Sequence, residues 1–244
     1  MNADRSLGDD ERKRLQSQSA EIATLAGGLA HEIRNPLSTI SLNLELMAED
    51  LEQTDGSPRD RRLLNKVNLL QRECRQLDQI LTQFLQFARL GELHRIETDW
   101  NSVVREFIES YQMQADDAGV RISPHLAADL PLVPIDRALI RQAILNLALN
   151  AQQAMADGGT LELLTYTDQE SVCLDVIDTG IGMSADMLER MFRPFFSSRK
   201  GGSGLGLPTV KRIVEAHDGV LTCESEPGRG TRFRICIPIT PATN

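Results

Sequence analysis

The chain has 244 residues, 41% of them hydrophobic and 25% charged, enough for one or two cored domains. A formal net charge of −9 excludes a general affinity for nucleic acid or an anionic membrane surface. No apolar run is long enough to span a bilayer and the amino terminus is polar, so the chain reads as soluble, cytoplasmic and without membrane contact of its own, whether or not a membrane sensor lies upstream. The four cysteines, Cys74, Cys173, Cys223 and Cys236, are too sparse for a disulfide framework and are expected as isolated reduced thiols.

Residues 1–19 read as a tail or as the end of a signalling helix. From there Ile22, Leu25, Leu29, Ile33, Leu37, Ile40, Leu44, Met47 and Leu51 recur every three or four residues, a helical stripe. The run EQTDGSPRD breaks it and starts a second helix, with Ser57 as N-cap, Pro58 in the first position and Asp60 at N3. Leu63, Val67, Leu70, Cys74, Leu77, Leu81, Phe84 and Ala88 then alternate by four and three, the spacing of a coiled-coil seam. Residues 20–90 therefore form an all-α hairpin. A hairpin alone buries one side of each stripe, so a homodimeric four-helix bundle is the expected arrangement.

After a linker at 91–97, the second domain, 98–240, mixes helices and short strands. Helices are predicted at Trp100–Ala118, from an Asp136 cap to about Met155, at Ala185–Met191 and at Pro208–His217. Strands are predicted at Val120–Ser123, Leu132–Ile135, Leu161–Thr167, Val172–Ile177, Val220–Glu224 and Thr231–Ile237. This order implies an α+β two-layer sandwich, helices on one face of a mixed sheet.

Four stretches carry chemistry. In LAHEIRNPLSTI, helical phase at about 100° per residue places His31 about 160° from Ile33, outward with Asn35 and Ser38. A surface histidine without a role and a reacting one both fit that position. A metal ligand does not, because the residue four on is Asn35 rather than a second histidine. Glu32 beside His31 can accept the imidazole N–H proton while the other nitrogen attacks an electrophile. Pro36 removes a helix hydrogen bond and predicts a bend just past His31.

DTGIGM, 178–183, follows an apolar strand. Gly180 and Gly182 permit a tight turn against a flat ligand, and Asp178 can accept from an exocyclic amine such as that of adenine. GGSGLGL, 201–207, includes Gly202, Ser203, Gly204, Leu205, Gly206 and Leu207 and leads into a helix whose N-terminus attracts phosphate. It is neither a Walker A loop nor a dinucleotide fingerprint. Between the two lies FRPFFSSRK, where aromatics such as Phe195 can anchor a lid and Arg199 or Lys200 can reach phosphate. Asn146 and Asn150 share one helix face. Their amides suit either Mg²⁺ coordination or a helix-packing hydrogen bond.

Together, and in this order, HEIRNPL, NLALNAQQAM, DTGIGM, FRPFFSSR, GSGLGL and GRGTRF resemble the H, N, G1, F and G2 boxes and closing strand of sensor histidine kinases of two-component systems. The resemblance covers roughly residues 20–240. It implies a HisKA-type dimerisation and phosphotransfer domain followed by an ATP-binding domain of the GHKL type, the Bergerat fold. It implies a protein histidine kinase that uses ATP and Mg²⁺, forms a homodimer and hands its phosphoryl group to the receiver domain of a separate response regulator. On this chain it assigns the phosphoacceptor to His31, the general base to Glu32 and regulator dephosphorylation to Asn35. Metal coordination falls mainly to Asn150 with Asn146 nearby, adenine recognition to Asp178, and the triphosphate to the G2 glycines. Gln153 stands where some relatives carry a basic residue, which shifts phosphate contact to Arg199 or Lys200. GHKL ATPases place a glutamate where this chain has Asn146, an amide that cannot activate water.

Overall fold

The computed structural model describes residues 33–51, 57–88, 93–198 and 203–240. The chain divides into two compact units, Met1–Gly91 and Glu92–Asn244.

In the first unit, α1 is helical over residues 33–51, continuous through Pro36, and α2 spans Pro58–Ala88. The second helix begins as its sequence dictates. The Ser57 hydroxyl accepts from the Asp60 N–H and the Asp60 carboxylate accepts from the Ser57 N–H, each at 3.2 Å, a reciprocal cap that satisfies two donors. The helices run antiparallel, because Arg34 near the start of α1 donates to Asp78 and Thr82 near the end of α2. Leu37 and Leu44 of α1 pack with Val67 and Cys74 of α2.

The coiled-coil seam expected along α2 splits in two. Val67 and Cys74 turn into the hairpin, whereas Leu63, Leu70 and Leu77 are 39%, 51% and 55% exposed. A second heptad-spaced row on α1, Ile33, Ile40 and Met47, is exposed to a similar extent. Two helices bury only the inner half of such stripes.

The second unit is a sheet in the order β2-β4-β5-β7-β6 with helices on one face. Its strands are β2 Val120–Leu126, β4 Gly159–Asp168, β5 Ser171–Asp178, β6 Val220–Glu226 and β7 Gly230–Pro238. β2 runs parallel to β4 and every other pairing is antiparallel, giving the expected mixed sheet. A small ribbon pairs β1 Ile96–Thr98 with β3 Val133–Ile135. Residues 96 and 97, expected in the linker, are thus strand. Three residues are too few for alternation to show in sequence.

The helices are α3 Trp100–Asp117, α4 Arg137–Ala154, α5 Ala185–Arg190 and α6 Gly206–Ala216. Asp99 and Asp136 cap α3 and α4 through their carboxylates. Alternation along the strands sends Leu161, Leu163, Leu174, Ile235 and Ile237 under the helices, each at most 1% exposed. Trp100, Phe107, Ile140, Ile144 and Leu147 meet them from the helix side, also at most 1% exposed.

The opposite face of the sheet is polar. Asp175, its side chain 3% exposed, accepts from the Arg234 guanidinium at 2.9 and 3.3 Å and from the Tyr166 hydroxyl at 3.1 Å. Directly beside this cluster Cys173 is disulfide-bonded to Cys236. This corrects the expectation of four free thiols. The residues are 63 apart in sequence, and only the β5–β7 register sets them opposite each other. Cys74 and Cys223 are free.

Candidate functional site

The site lies at the carboxyl end of β5, where the strand releases Asp178. Asp178 is 6% exposed, and Oδ1 accepts from the Gly180 N–H at 2.9 Å, which turns the following loop. Three contacts fix that loop: Ile181 N–H to the Ala154 carbonyl at the end of α4, Gly228 N–H to the Ile181 carbonyl, and Met183 N–H to the Ser225 hydroxyl. Gly182 has φ +64°, and a Cβ there would fall 2.0 Å from the Glu226 carbonyl oxygen. No other residue fits that turn without moving the β6–β7 hairpin.

Ser225 and Thr231 floor this corner. The Ser225 hydroxyl donates to the Gly230 carbonyl at 2.8 Å and lies 3.0 Å from the Thr231 hydroxyl, and Thr231 is the register partner of Asp178. Sequence reasoning missed Ser225. The GRGTRF hairpin was its signal, because that turn returns β6 beside β7. Cys223 also lies close by. Burial first, and then the charge of Asp178, push its thiol up to about 12.

α4 carries Asn146 and Asn150, both half-buried, and Asn150 reaches the start of α6. A Cβ on Gly206 would lie 3.8 Å from the Asn150 amide nitrogen, so the first residue of α6 abuts the asparagine. α6 starts without a side-chain cap at Leu205, which leaves its N-terminal dipole open to an anion. Ser203 accepts from the Leu205 N–H at 3.2 Å, and Leu205 is fully buried. Leu207 lies within the first turn of α6, half-buried. Gly204, at φ +67°, accepts through its carbonyl from the Phe195 N–H at 3.1 Å. A Cβ on Gly204 would strike the Phe195 and Phe196 backbone at 2.5–2.6 Å, so only glycine lets the two segments close on each other. Phe195 itself is 66% exposed, with φ +63°.

The second unit therefore gathers Asp178, Gly180, Gly182, Asn150, Phe195 and the segment from Ser203 to Leu207 around one end of the sheet. Gln153 lies on the exposed surface of α4. Asn35 is exposed on α1, as helical phase predicts, and its carbonyl accepts from the Thr39 hydroxyl at 3.2 Å. His31, Glu32, Arg199, Lys200 and Gly202 lie outside the described residues. The arrangement can offer a carboxylate acceptor at one side and a helix N-terminus with amide oxygens at the other. That matches a ligand with an amine-bearing ring and a phosphate chain.

Among the described residues, no group of three or more histidine, cysteine or acidic side chains is placed to hold a metal ion. Asn146 and Asn150, four apart on α4, carry neutral amide oxygens, a ligand type that suits Mg²⁺, which takes most of its ligands from phosphates and water. No helix among these residues is long and apolar enough to cross a membrane.

Comparison with known proteins gives the same reading. Residues 21–93 match the His Kinase A (phospho-acceptor) domain family. Residues 135–241 match the histidine kinase-, DNA gyrase B-, and HSP90-like ATPase family. Sporulation kinase E of Bacillus subtilis is 31% identical over 94% of this chain and 30% of its own length. The sensor histidine kinase ZraS of Escherichia coli K12 is 30% identical over 96% of this chain and 49% of its own. The chain thus spans about half or less of the length of these relatives. Among solved structures, full-length ShkA in complex with AMPPNP aligns with a TM-score of 0.71 at 28% identity, covering 91% of this chain and 47% of that one. The histidine kinase ThkA in complex with the response regulator TrrA shares the fold, with a TM-score of 0.68 at 24% identity over 97% of this chain and 67% of that one. With both domain families present in order and relatives of one kind throughout, the chain belongs to the sensor histidine kinases of two-component systems.

Proposed function

We propose that the chain is an ATP-dependent protein histidine kinase that phosphorylates His31 and passes the phosphoryl group to an aspartate on the receiver domain of a separate response regulator. The observation that carries this reading is the meeting of Asp178, Asn150 and the start of α6 at one end of the sheet, in a chain whose other half matches a phospho-acceptor domain.

In this reading Asp178 accepts the exocyclic amine of adenine, while the α6 N-terminus and the G2 segment hold the phosphates. Asn150, with Asn146, would hold Mg²⁺, which when bound offsets the charge of the phosphate chain. A ring nitrogen of His31 attacks the γ-phosphorus as the bond to the β-bridging oxygen breaks, so ADP leaves. Glu32 takes the imidazole proton. Arg199 or Lys200 contacts phosphate from the lid, and Asn35 positions water when the regulator is dephosphorylated. Residues 20–90 serve as the phosphotransfer domain and 98–240 as the ATP-binding domain.

A homodimer follows from the first unit. The heptad rows Ile33, Ile40, Met47 and Leu63, Leu70, Leu77 need a cover, and a second hairpin of the same kind supplies matching rows.

The test is labelling with ATP radioactive in its γ-phosphate. An acid-labile, alkali-stable label that disappears in His31→Gln supports the assignment. A label that survives in His31→Gln sinks it.

A further inference from the structure

His217, the residue after α6, is 1% exposed. Both of its ring nitrogens are committed to backbone. Nδ1 lies 2.7 Å from the Ile213 carbonyl oxygen, so Nδ1 carries the proton and donates. Nε2 accepts from the Asp136 N–H at 2.9 Å and must be unprotonated to do so. The imidazole is therefore held neutral, in one tautomer.

Its two partners are not incidental. Asp136 is the N-cap of α4: Oδ1 accepts from the Ala138 and Leu139 N–H groups, and Oδ2 accepts from the His94 N–H. Ile213 belongs to α6. His217 thus ties the last turn of α6 to the N-cap of α4. Arg95 closes the same corner, donating to Asp218 at 2.7 Å and to the Ala216 carbonyl, where a cation meets the negative end of the helix.

The helices lie side by side and run in opposite senses. α4 leaves the His217 corner and reaches Asn146 and Asn150 about 15 and 21 Å along its axis. α6 begins beside Asn150 and returns about 16 Å to the corner. A fastening at one end of an antiparallel pair sets the rotation and slide of both at the other.

We infer that His217 is a positioning residue for the phosphate end of the site: by holding α6 to the N-cap of α4 it keeps the α6 N-terminus opposed to Asn150, and its protonation releases that hold. The inference rests on the nucleotide reading above. Every charged group facing the ring comes from the same corner. Burial sets the imidazole below its ordinary value. The Ile213 carbonyl opposes that shift, Arg95 adds to it, and Asp136 and Asp218 oppose it. The folded pKa lies below the unfolded one, so the neutral, fastened state is complete above about pH 6.5 and is lost as pH falls through the folded value.

The experiment measures ATP affinity of the chain by calorimetry with Mg²⁺ from pH 7.5 down to the lowest pH at which thermal melts show the chain folded, for the native protein, His217→Gln and His217→Leu. Glutamine keeps an acceptor near the Nε2 position and does not titrate. His217→Leu is expected to bind about tenfold or more weakly at pH 7.5. His217→Gln is expected to stay within about threefold of the native chain at pH 7.5, and the native-to-Gln affinity ratio to fall as pH drops below about 6.5 through the folded value. Superimposable native and Gln pH profiles, or a Gln variant as weak as Leu at pH 7.5, overturn the role of His217 alone. Absence of binding by the native chain overturns the nucleotide reading and this inference with it. If His217→Leu does not fold, the Gln comparison decides.

Discussion

Opening the Cys173–Cys236 bridge frees the unfolded chain of a link between residues 63 apart in sequence. A loop of this size costs the unfolded ensemble about 4 kcal/mol of closure entropy at 25 °C. The folded state gives little back when the bridge opens. β5 is held on both sides, by β4 and by β7, over eight register pairs each. The Asp175, Arg234 and Tyr166 cluster beside the bridge is independent of it. The full entropic effect should therefore reach the measured stability. For a unit of this size that is a fall in Tm of roughly 10 °C on reduction.

The assay has two parts. Alkylation of unfolded, unreduced protein followed by mass spectrometry should modify two of the four cysteines, and all four after reduction. Calorimetry of the native chain with and without a phosphine reductant, beside a Cys173→Ala/Cys236→Ala variant, then reads Tm. The reductant should lower the native chain's transition and leave the variant's unchanged. Four modified cysteines without reduction would refute the bridge. A bridge confirmed by mass but a Tm indifferent to its opening would refute the argument that it acts on the unfolded chain.

Asp178→Asn keeps an oxygen for the Gly180 N–H but loses the charge, so ATP affinity should fall at least about tenfold with the melting curve little changed; titration calorimetry reads the first and scanning calorimetry the second. Cys223, with its thiol pushed up to about 12, is protonated throughout the neutral range, and at pH 8 only about one molecule in ten thousand carries the thiolate. Folded protein treated with iodoacetamide at pH 8 should therefore remain unmodified at Cys223 and react there once unfolded. Rapid modification of the folded chain would contradict its burial. Leu70→Lys with Leu77→Lys places charges in the exposed heptad row, and light scattering should drop from twice the 27.1 kDa chain mass to the chain mass itself. A variant that stays dimeric would move the interface elsewhere.

Features set by neighbours in sequence were legible before any coordinates. The Ser57 cap, the Asp136 cap and the lengths of α2 and α4 follow from groups three or four residues apart, which a helix brings together whatever surrounds it. The glycine clusters were legible for a related reason. Gly182 and Gly204 adopt backbone angles that other residues rarely hold, so their places in the chain announced turns. The outward position of Asn35 and Ser38 needed only helical phase.

Other features depended on pairings that no local pattern encodes. β1 was too short to alternate, and its partner β3 lies beyond the whole of α3 and β2. Which half of the α2 stripe turns inward depended on how α1 packs against it. Ser225 entered the site because β6 returns beside β7, and Gly206 met Asn150 because α6 packs against α4. The sequence by itself determined the two-part architecture, the helix ends and the residue types able to bind a nucleotide, because these rest on backbone propensity and short-range hydrogen bonds. Only the tertiary structure decided that Cys173 faces Cys236, that His217 fastens α6 to α4 and that Asp178 lies over Thr231. Each of these contacts joins distant segments through sheet register or helix packing, and its energy exists only once the core that aligns them has formed.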